Sequence, residues 1–252
     1  MYITWAFDRG REIVAVIPTI STSRSDTQNL LSFLDRSGVD SVCVVDSGKG
    51  FNFSRSMNAG IKETLARHKP RLIILSNDDV SDIKGLDKMV QYLLDHGLTY
   101  VVPYVNGKRD YCTLTASRLR FIINYAIFRF APLYALKLSA AVIARKGDRK
   151  LLLGAPASRL GGFLNIQPFV ILHTESLMLL KKQTGCFFDE GFLNRLEDYE
   201  LAYRLNKCGI RGITNSEWSI RHVMGSSLGR KAMRENNEIA NNLYLTIKYT
   251  SE

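Results

Sequence analysis

The sequence predicts an α/β fold in which a mostly parallel central sheet is flanked by helices. Short, β-branched apolar runs recur through the first 105 residues. Between them lie stretches of helical period about 10 to 15 residues long, the spacing of βαβ units. A third observation is bulk: 252 residues, 46% of them hydrophobic, suffice for one large domain with a real core. Aromatics at 10% and the lack of low-complexity tracts exclude global disorder. No repeat of fixed period is visible, which argues against a solenoid or propeller.

The elements follow in order. Glu12 to Pro18, EIVAVIP, is a buried parallel strand ended by proline. The next segment, with Leu30, Leu31 and Leu34 on one face and Gly38 as a stop, is a helix. Ser41 to Asp46 is a second strand, and FSRSMNAGIKETLARH a helix that closes before Pro70. Arg71 to Ser76 is a third strand, DIKGLDKMVQYLLDHG a helix, and Thr99 to Val105 a fourth strand. Beyond these, FVILHTESLMLLKKQTG reads as one or two strands and a turn. LEDYELAYRLNKCG is a short helix ended by Gly209, GITNSEWSIRHV a strand, and RKAMRENNEIANNLYLTIK a polar helix. No linker separates two complete cores, so residues 1–252 read as a single domain with a basic, apolar helical insert at about 117–160.

Charge is concentrated in that insert. Ser117 to Leu160 holds nine basic residues against Asp148 alone, which is eight of the ten net positive charges. The rest of the chain is nearly neutral, so whatever the charge contacts meets one segment. Apolar residues such as Phe121, Tyr125 and Phe128 interleave with the Arg and Lys there. Two readings stand side by side: a core helix with a solvated basic face, and an interfacial helix on anionic lipid through 117–150. Arg129, Pro132 and Lys137 interrupt the longest apolar stretch, which argues against a membrane span. The four cysteines form no CxxC pair, and the charged N-terminus lacks the apolar core of a signal peptide. The expectation is a cytoplasmic protein, with peripheral attachment at the inner face of the membrane as an option.

In open parallel sheets ligands bind past the carboxyl ends of the strands. Those positions hold Pro18 and Thr19, then Asp46, then Ser76, Asn77, Asp78 and Asp79. Each alone is an ordinary turn former or helix cap. Three carboxylates converging on one sheet edge need a cation or hydrogen-bond donors to be tolerated. A second acidic group, Glu197, Asp198 and Glu200, opens a helix, where acids are favoured and where Glu200 with Arg204 makes a surface pair four residues apart. RHVMGSSLGR adds His222 and Arg230.

The order of these pieces resembles the inverting glycosyltransferases of family 2, which have the Rossmann-like GT-A fold. The resemblance runs from about Ile13 to Arg230 and leaves out the basic insert. IVAVIPT and CVVDSG are similar to the family's first two strands, FNFSRSMNAGIK to its Asn-x-Gly helix start, and LIILSNDDV to its metal motif. The block SLMLLKKQTGCFFDEGFLNRLEDYELAYRLNKCGIR is similar to the family's stretch of Gly, Phe-Asp-Glu, Glu-Asp-x-Asp-Leu, Arg and Gly, and RHVMGSS to its late His followed by Gly and Ser. Two positions depart from the pattern: Asn77 opens the metal motif, and Glu200 stands where the family usually has Asp.

The resemblance implies transfer of a sugar from a nucleotide-diphosphate donor to a hydroxyl acceptor on a glycan, glycolipid or glycoprotein. It implies Asp79 and His222 as ligands of a divalent cation, which a carboxylate and an imidazole make Mn²⁺ somewhat more readily than Mg²⁺. Asp198, with Glu197 second, would be the general base. Pro18, Thr19, Asp46, Arg55, Asn58, Asn77, Asp78 and Arg230 would hold the nucleotide sugar. A lipid-linked acceptor would suit an interfacial insert. Alternatives are a membrane- or polyanion-binding protein on a transferase-like scaffold, and a nucleotidyltransferase, although PTISTSRSDTQ lacks the Gly-rich phosphate loop of the latter. RNA-binding aromatic motifs are not apparent, and no nucleic-acid partner is expected.

Overall fold

The computed structural model describes residues 1–109, 111–112, 163–166, 168–194, 196–222, 241, 244 and 248. The basic insert and Arg230 lie outside the described residues. In chain order the first half contains β1 (Tyr2–Asp8), β2 (Ile13–Thr19), α1 (Ser25–Asp35), β3 (Ser41–Asp46), α2 (Phe53–Arg67) and β4 (Leu72–Ser76). β5 (Val80–Lys84), α3 (Leu86–Asp95), β6 (Thr99–Val101), β7 (Tyr104–Val105) and β8 (Tyr111–Cys112) follow. The second half contains β9 (Phe163–Leu164), β10 (Phe169–His173), α4 (Thr174–Thr184), α5 (Glu197–Lys207), β11 (Arg211–Ile213) and β12 (Ser219–His222).

The main sheet has seven strands in the order β1-β3-β2-β4-β10-β6-β11. β2 is parallel to β3 and β4, β10 is antiparallel to β4 and β6, and β11 is parallel to β6. The sheet is therefore mixed but largely parallel, with β1 and β10 running against the rest. Its two faces come from strict alternation. Ala15 and Ile17, Val42 and Val44, and Leu72 and Ile74 pack on α1 and α3 through Leu30, Leu34, Met89 and Leu93. Val16, Cys43 and Val45, and Ile73 and Leu75 pack on α2, α4 and α5 through Met57, Ile61, Leu177, Leu180, Leu201 and Leu205. Strands covered on both faces read as continuous apolar runs, as here, and each such side chain contributes about 1.5–3 kcal/mol by leaving water. Burial also pushes the Cys43 thiol up to about 12, so it packs as an inert apolar group.

A second, three-stranded sheet has the order β5-β12-β7, with β12 antiparallel to β5 and parallel to β7. Its β12 sets His222 opposite Val80, the residue after Asp79.

The structure corrects the sequence reading in four places. The N-terminal residues form the edge strand β1, antiparallel to β3 and fastened where Asp8 meets His68 at 2.9 Å and Trp5 packs edge-on to the same imidazole. FVILHTESLMLLKKQTG is one strand running straight into helix α4. The helix after the third strand begins only at Leu86, because Val80–Lys84 pairs as β5. The runs 99–105 and 212–223 each divide in two. Pro103, which has no N–H to give a ladder, separates β6 from β7, and an Asn215–Trp218 turn separates β11 from β12.

Gly60 explains how closely α2 lies on the sheet. A Cβ there would sit 2.4 Å from Val16 Cγ1 and 2.9 Å from Val45 Cγ2. Gly60→Ala is expected to destabilise the protein by about 1–3 kcal/mol through overpacking, although alanine is the better helix former. Chemical denaturation of the two proteins measures it.

Candidate active site

Chain order makes one crevice. From β2 the chain moves to β3 on one side, then returns to β4 on the other, so the carboxyl ends of β2 and β4 flank a switch point. β2 stays paired with β4 only as far as Val16, while its pairing with β3 continues to Thr19. The pairing thus ends before buried Pro18, at the switch point where a crevice is expected.

Asp78 fills its floor. The residue is 4% exposed, and its Oδ2 accepts from Thr19 Oγ1 at 2.6 Å, Arg24 Nη1 at 3.2 Å and Thr27 Oγ1 at 3.4 Å. Burial pushes this carboxyl above its ordinary value, while the Thr19 hydrogen bond and the Arg24 charge pull against the rise. Asp46 closes the neighbouring wall: its Oδ2 accepts from Thr22 N and its Oδ1 from Gly48 N, both at 3.1 Å. Ser47 N also donates to Thr19 O at 3.0 Å, so the loops after β2 and β3 are one braced unit.

Asp79 and His222 meet across the two sheets. His222 Nε2 lies 3.0 Å from Asp79 Oδ1, and both side chains are largely buried. Asn106 brackets the His222 backbone, accepting from its N–H and donating to its C=O at 3.0 Å each. Asn77 Nδ2 lies 3.5 Å from the same imidazole nitrogen. Asn77 Oδ1 is buried without a hydrogen-bond partner among the described residues. A carboxylate and an imidazole are donors suited to a hard or borderline divalent cation, and the Asn77 amide lies beside them. Among the described residues, no three His, Cys, Asp or Glu side chains converge as a complete protein cage.

Glu197 and Asp198, both buried, occupy the first turn of α5. A short turn at Cys208–Ile210 leads α5 into β11, which runs with β2 and β4. The start of α5 therefore lies at the carboxyl edge of the sheet, the edge that also carries Asp46, Asp78 and Asp79. Three asparagines stitch the approach to this turn onto α2. Asn58 donates to Phe188 O and accepts from Phe188 N, each at 2.9 Å, and also donates to Glu190 Oε1. Asn52 caps α2 at Arg55 N and donates to Phe192 O. Asn194 accepts from Phe53 N at 2.6 Å and donates to Phe51 O at 3.0 Å.

The structure thus gathers Pro18, Thr19, Asp46, Asn77, Asp78, Asp79 and His222 around the crevice. Asn58 turns inward to the Phe188 loop. Arg55 is mostly exposed, reaching Glu190 at 3.7 Å beside a surface hollow lined by Ile3, Ala59 and Lys62. Arg230 lies outside the described residues. The pair Glu200–Arg204 is four residues apart as the sequence predicts, but it is buried rather than superficial. Glu200 is 0% and Arg204 3% exposed, and the guanidinium also donates to Thr184 Oγ1, Cys186 O and Phe187 O. Removing one partner of such a pair strands the other, at a cost of about 3–5 kcal/mol. Sequence reasoning passed over Arg24, Thr27 and Asn106. Of these, only Arg24, a basic residue in the loop after the first predicted strand, carried a visible signal.

No protein-family model matches the sequence, and no curated protein matches it. Among solved structures the chain is similar to A197 from STIV, with 13% identity over 85% of this chain and 86% of that one, at a TM-score of 0.47. It is also similar to S. aureus TarS 1-349, with 11% identity over 94% of this chain and a TM-score of 0.49. The chain spans 66% of that TarS structure.

Two outcomes follow. Asn58→Ala leaves the buried N–H and C=O of Phe188 without their partner and is expected to cost about 1–3 kcal/mol, measured by denaturant titration. Burial would raise the Asp189 carboxyl, but Lys248, Gly191 N–H and Tyr244 hold it below the usual aspartate value. Its stabilising contribution is therefore complete above the ordinary aspartate range and is lost as the pH falls through the lower folded value. Melting temperature followed on acidification should fall less steeply in Asp189→Asn than in the parent.

Proposed function

We propose that this chain is a cation-assisted, inverting glycosyltransferase, moving a sugar from a nucleotide-diphosphate donor to a hydroxyl acceptor. The observation that supports this most is the contact of Asp79 with His222, at 3.0 Å, beside the crevice between β2 and β4. Two protein ligands suit an ion whose remaining positions are completed by phosphate oxygens and water.

Asp79 and His222 would hold the ion, with Asn77 beside them. The bound cation supplies Lewis-acid neutralisation of the departing diphosphate. Asp78 and Thr19 would take the ribose hydroxyls at the crevice floor, and Asp46 would accept from an N–H on the base edge. Asp198 would receive the proton of the acceptor hydroxyl as its oxygen attacks the anomeric carbon from the face opposite the diphosphate. Attack from that face inverts the anomeric configuration. Glu197 stands next to it as the second carboxylate of the turn. The basic segment at 117–150, outside the described residues, would meet an anionic surface or a lipid-linked acceptor. No helix among the described residues is long and apolar enough to cross a membrane.

A panel of nucleotide sugars, assayed for hydrolysis and transfer with Mn²⁺, with Mg²⁺ and with chelator, tests the proposal. Asp79→Ala should lose donor binding and turnover together. Asp198→Asn should bind donor as the parent does and lose about 10²–10⁴-fold in turnover, the usual range for a removed general base. Undiminished transfer by Asp198→Asn would reject its role. Indifference of the folded parent to every donor, with or without metal, would reject the proposed reaction.

A further inference from the structure

The loop that leads to the acidic turn is gripped a second time, by residues near the end of the chain. Asn241, Tyr244 and Lys248 are each helical and stand three and four residues apart, the spacing of neighbours on a helix face. Asn241 Oδ1 accepts from Leu193 N at 2.8 Å. Tyr244 donates its hydroxyl to Asp189 Oδ2 at 2.9 Å, and its ring packs edge-on to Phe192 at 5.1 Å. Gly191 makes that approach possible, since a Cβ there would lie 2.6 Å from the Tyr244 ring.

Lys248 joins the loop to the helix behind it. Its Nζ donates to Asp189 Oδ2 at 2.6 Å and to Glu200 Oε1 at 2.7 Å. The same Glu200 oxygen accepts from Arg204 at 2.7 Å, and Arg204 in turn holds the carbonyls of Cys186 and Phe187. Among the described residues, two acids and two bases thus join the loop, α5 and Lys248. Burial lowers the Lys248 pKa, but Glu200 and Asp189 outweigh it and leave the pKa raised, so the ammonium stays charged. Glu200 lies two residues beyond Asp198, in the first turn of α5.

We propose that Lys248 is a positioning residue: by bridging Asp189 to Glu200 it fixes the first turn of α5, and with it the Asp198 carboxylate, against the acceptor hydroxyl. This rests on Asp198 acting as the base. Lys248 would act through Asp198 and not on the substrates. Its removal leaves the Glu200–Arg204 pair and both sheet faces in place while the joint between loop and helix loosens, and circular dichroism of the variant checks that the fold is kept. Donor binding, which lies with the crevice residues on β2, β3 and β4, is untouched by that loosening.

The experiment uses the full chain as parent, Lys248→Met, Lys248→Arg and Asp198→Asn. Amide hydrogen exchange is followed in peptides covering 187–200 and covering β2 to β4. Steady-state hydrolysis of a panel of UDP- and GDP-hexoses is measured with Mn²⁺. Lys248→Met should exchange faster in 187–200 and unchanged in β2 to β4. Its kcat should fall about 10- to 100-fold, the loss that accompanies misplacement of a reacting group by an ångström, with donor KM unchanged. Lys248→Arg should restore both readouts, because its guanidinium also reaches two carboxylates. Unaltered exchange in Lys248→Met overturns the joint. Faster exchange with parental kcat, or a rise in KM alone, overturns the positioning role. Parental turnover by Asp198→Asn overturns the base assignment on which the positioning role rests. A panel that no form of the protein hydrolyses counts against sugar transfer, and the exchange data then still decide whether Lys248 holds the loop.

Discussion

The candidate site depends on keeping a buried carboxylate and a buried imidazole in contact. Asp79 follows the sheet's central strands, whereas His222 ends the last strand described, and neither position would place its side chain there alone. The small sheet solves this by pairing His222 with Val80 and by clamping the His222 backbone in both directions with Asn106. Fixed in this way, the two side chains present nitrogen and oxygen at one point, next to the Asn77 amide, whose buried Oδ1 has no hydrogen-bond partner among the described residues. Buried polar atoms are costly when unsatisfied, so such a cluster is tolerated where something else completes it.

Around that point the molecule is stitched by side chains rather than by backbone ladders. Asn52, Asn58 and Asn194 fasten α2 to the Phe188–Asn194 loop through backbone groups of Phe51, Phe53, Phe188 and Phe192. The loop itself has little regular structure, and its backbone groups must find partners somewhere. An asparagine amide, with a donor and an acceptor on one plane, mimics a strand edge and supplies both. Helix α2 and the approach to the acidic turn are consequently tied together through this loop. Such bracing would serve the proposed transfer, whose donor and acceptor would sit on separate elements.

Much of the fold was legible because β2, β3 and β4 are covered on both faces and carry uninterrupted apolar runs. The acids at their ends stood out for the same reason, as abrupt polar residues after Val45 and Leu75. The edge strand β1 was missed because it needs only one neighbour, and its alternating, mostly exposed residues carry a weak signal. The junction of β10 with α4 was hidden because His173 caps the helix without a side-chain hydrogen bond and no glycine or proline marks the change. Arg204 was read as superficial since paired charges four apart usually are. Only the tertiary structure shows that three acceptors in the 184–187 turn draw its guanidinium inside. The role of Asn58 was blurred likewise, its position being legible and its partner lying far along the chain.

Electron spin resonance of Mn²⁺ reads whether Asp79 and His222 together hold an ion. The ion would be titrated into the full chain in the presence of UDP or GDP. The account predicts one immobilised ion per chain in the parent and its loss in both Asp79→Ala and His222→Ala, with the fold retained by circular dichroism. Equal immobilisation in the parent and both variants would place the ion elsewhere and contradict the account.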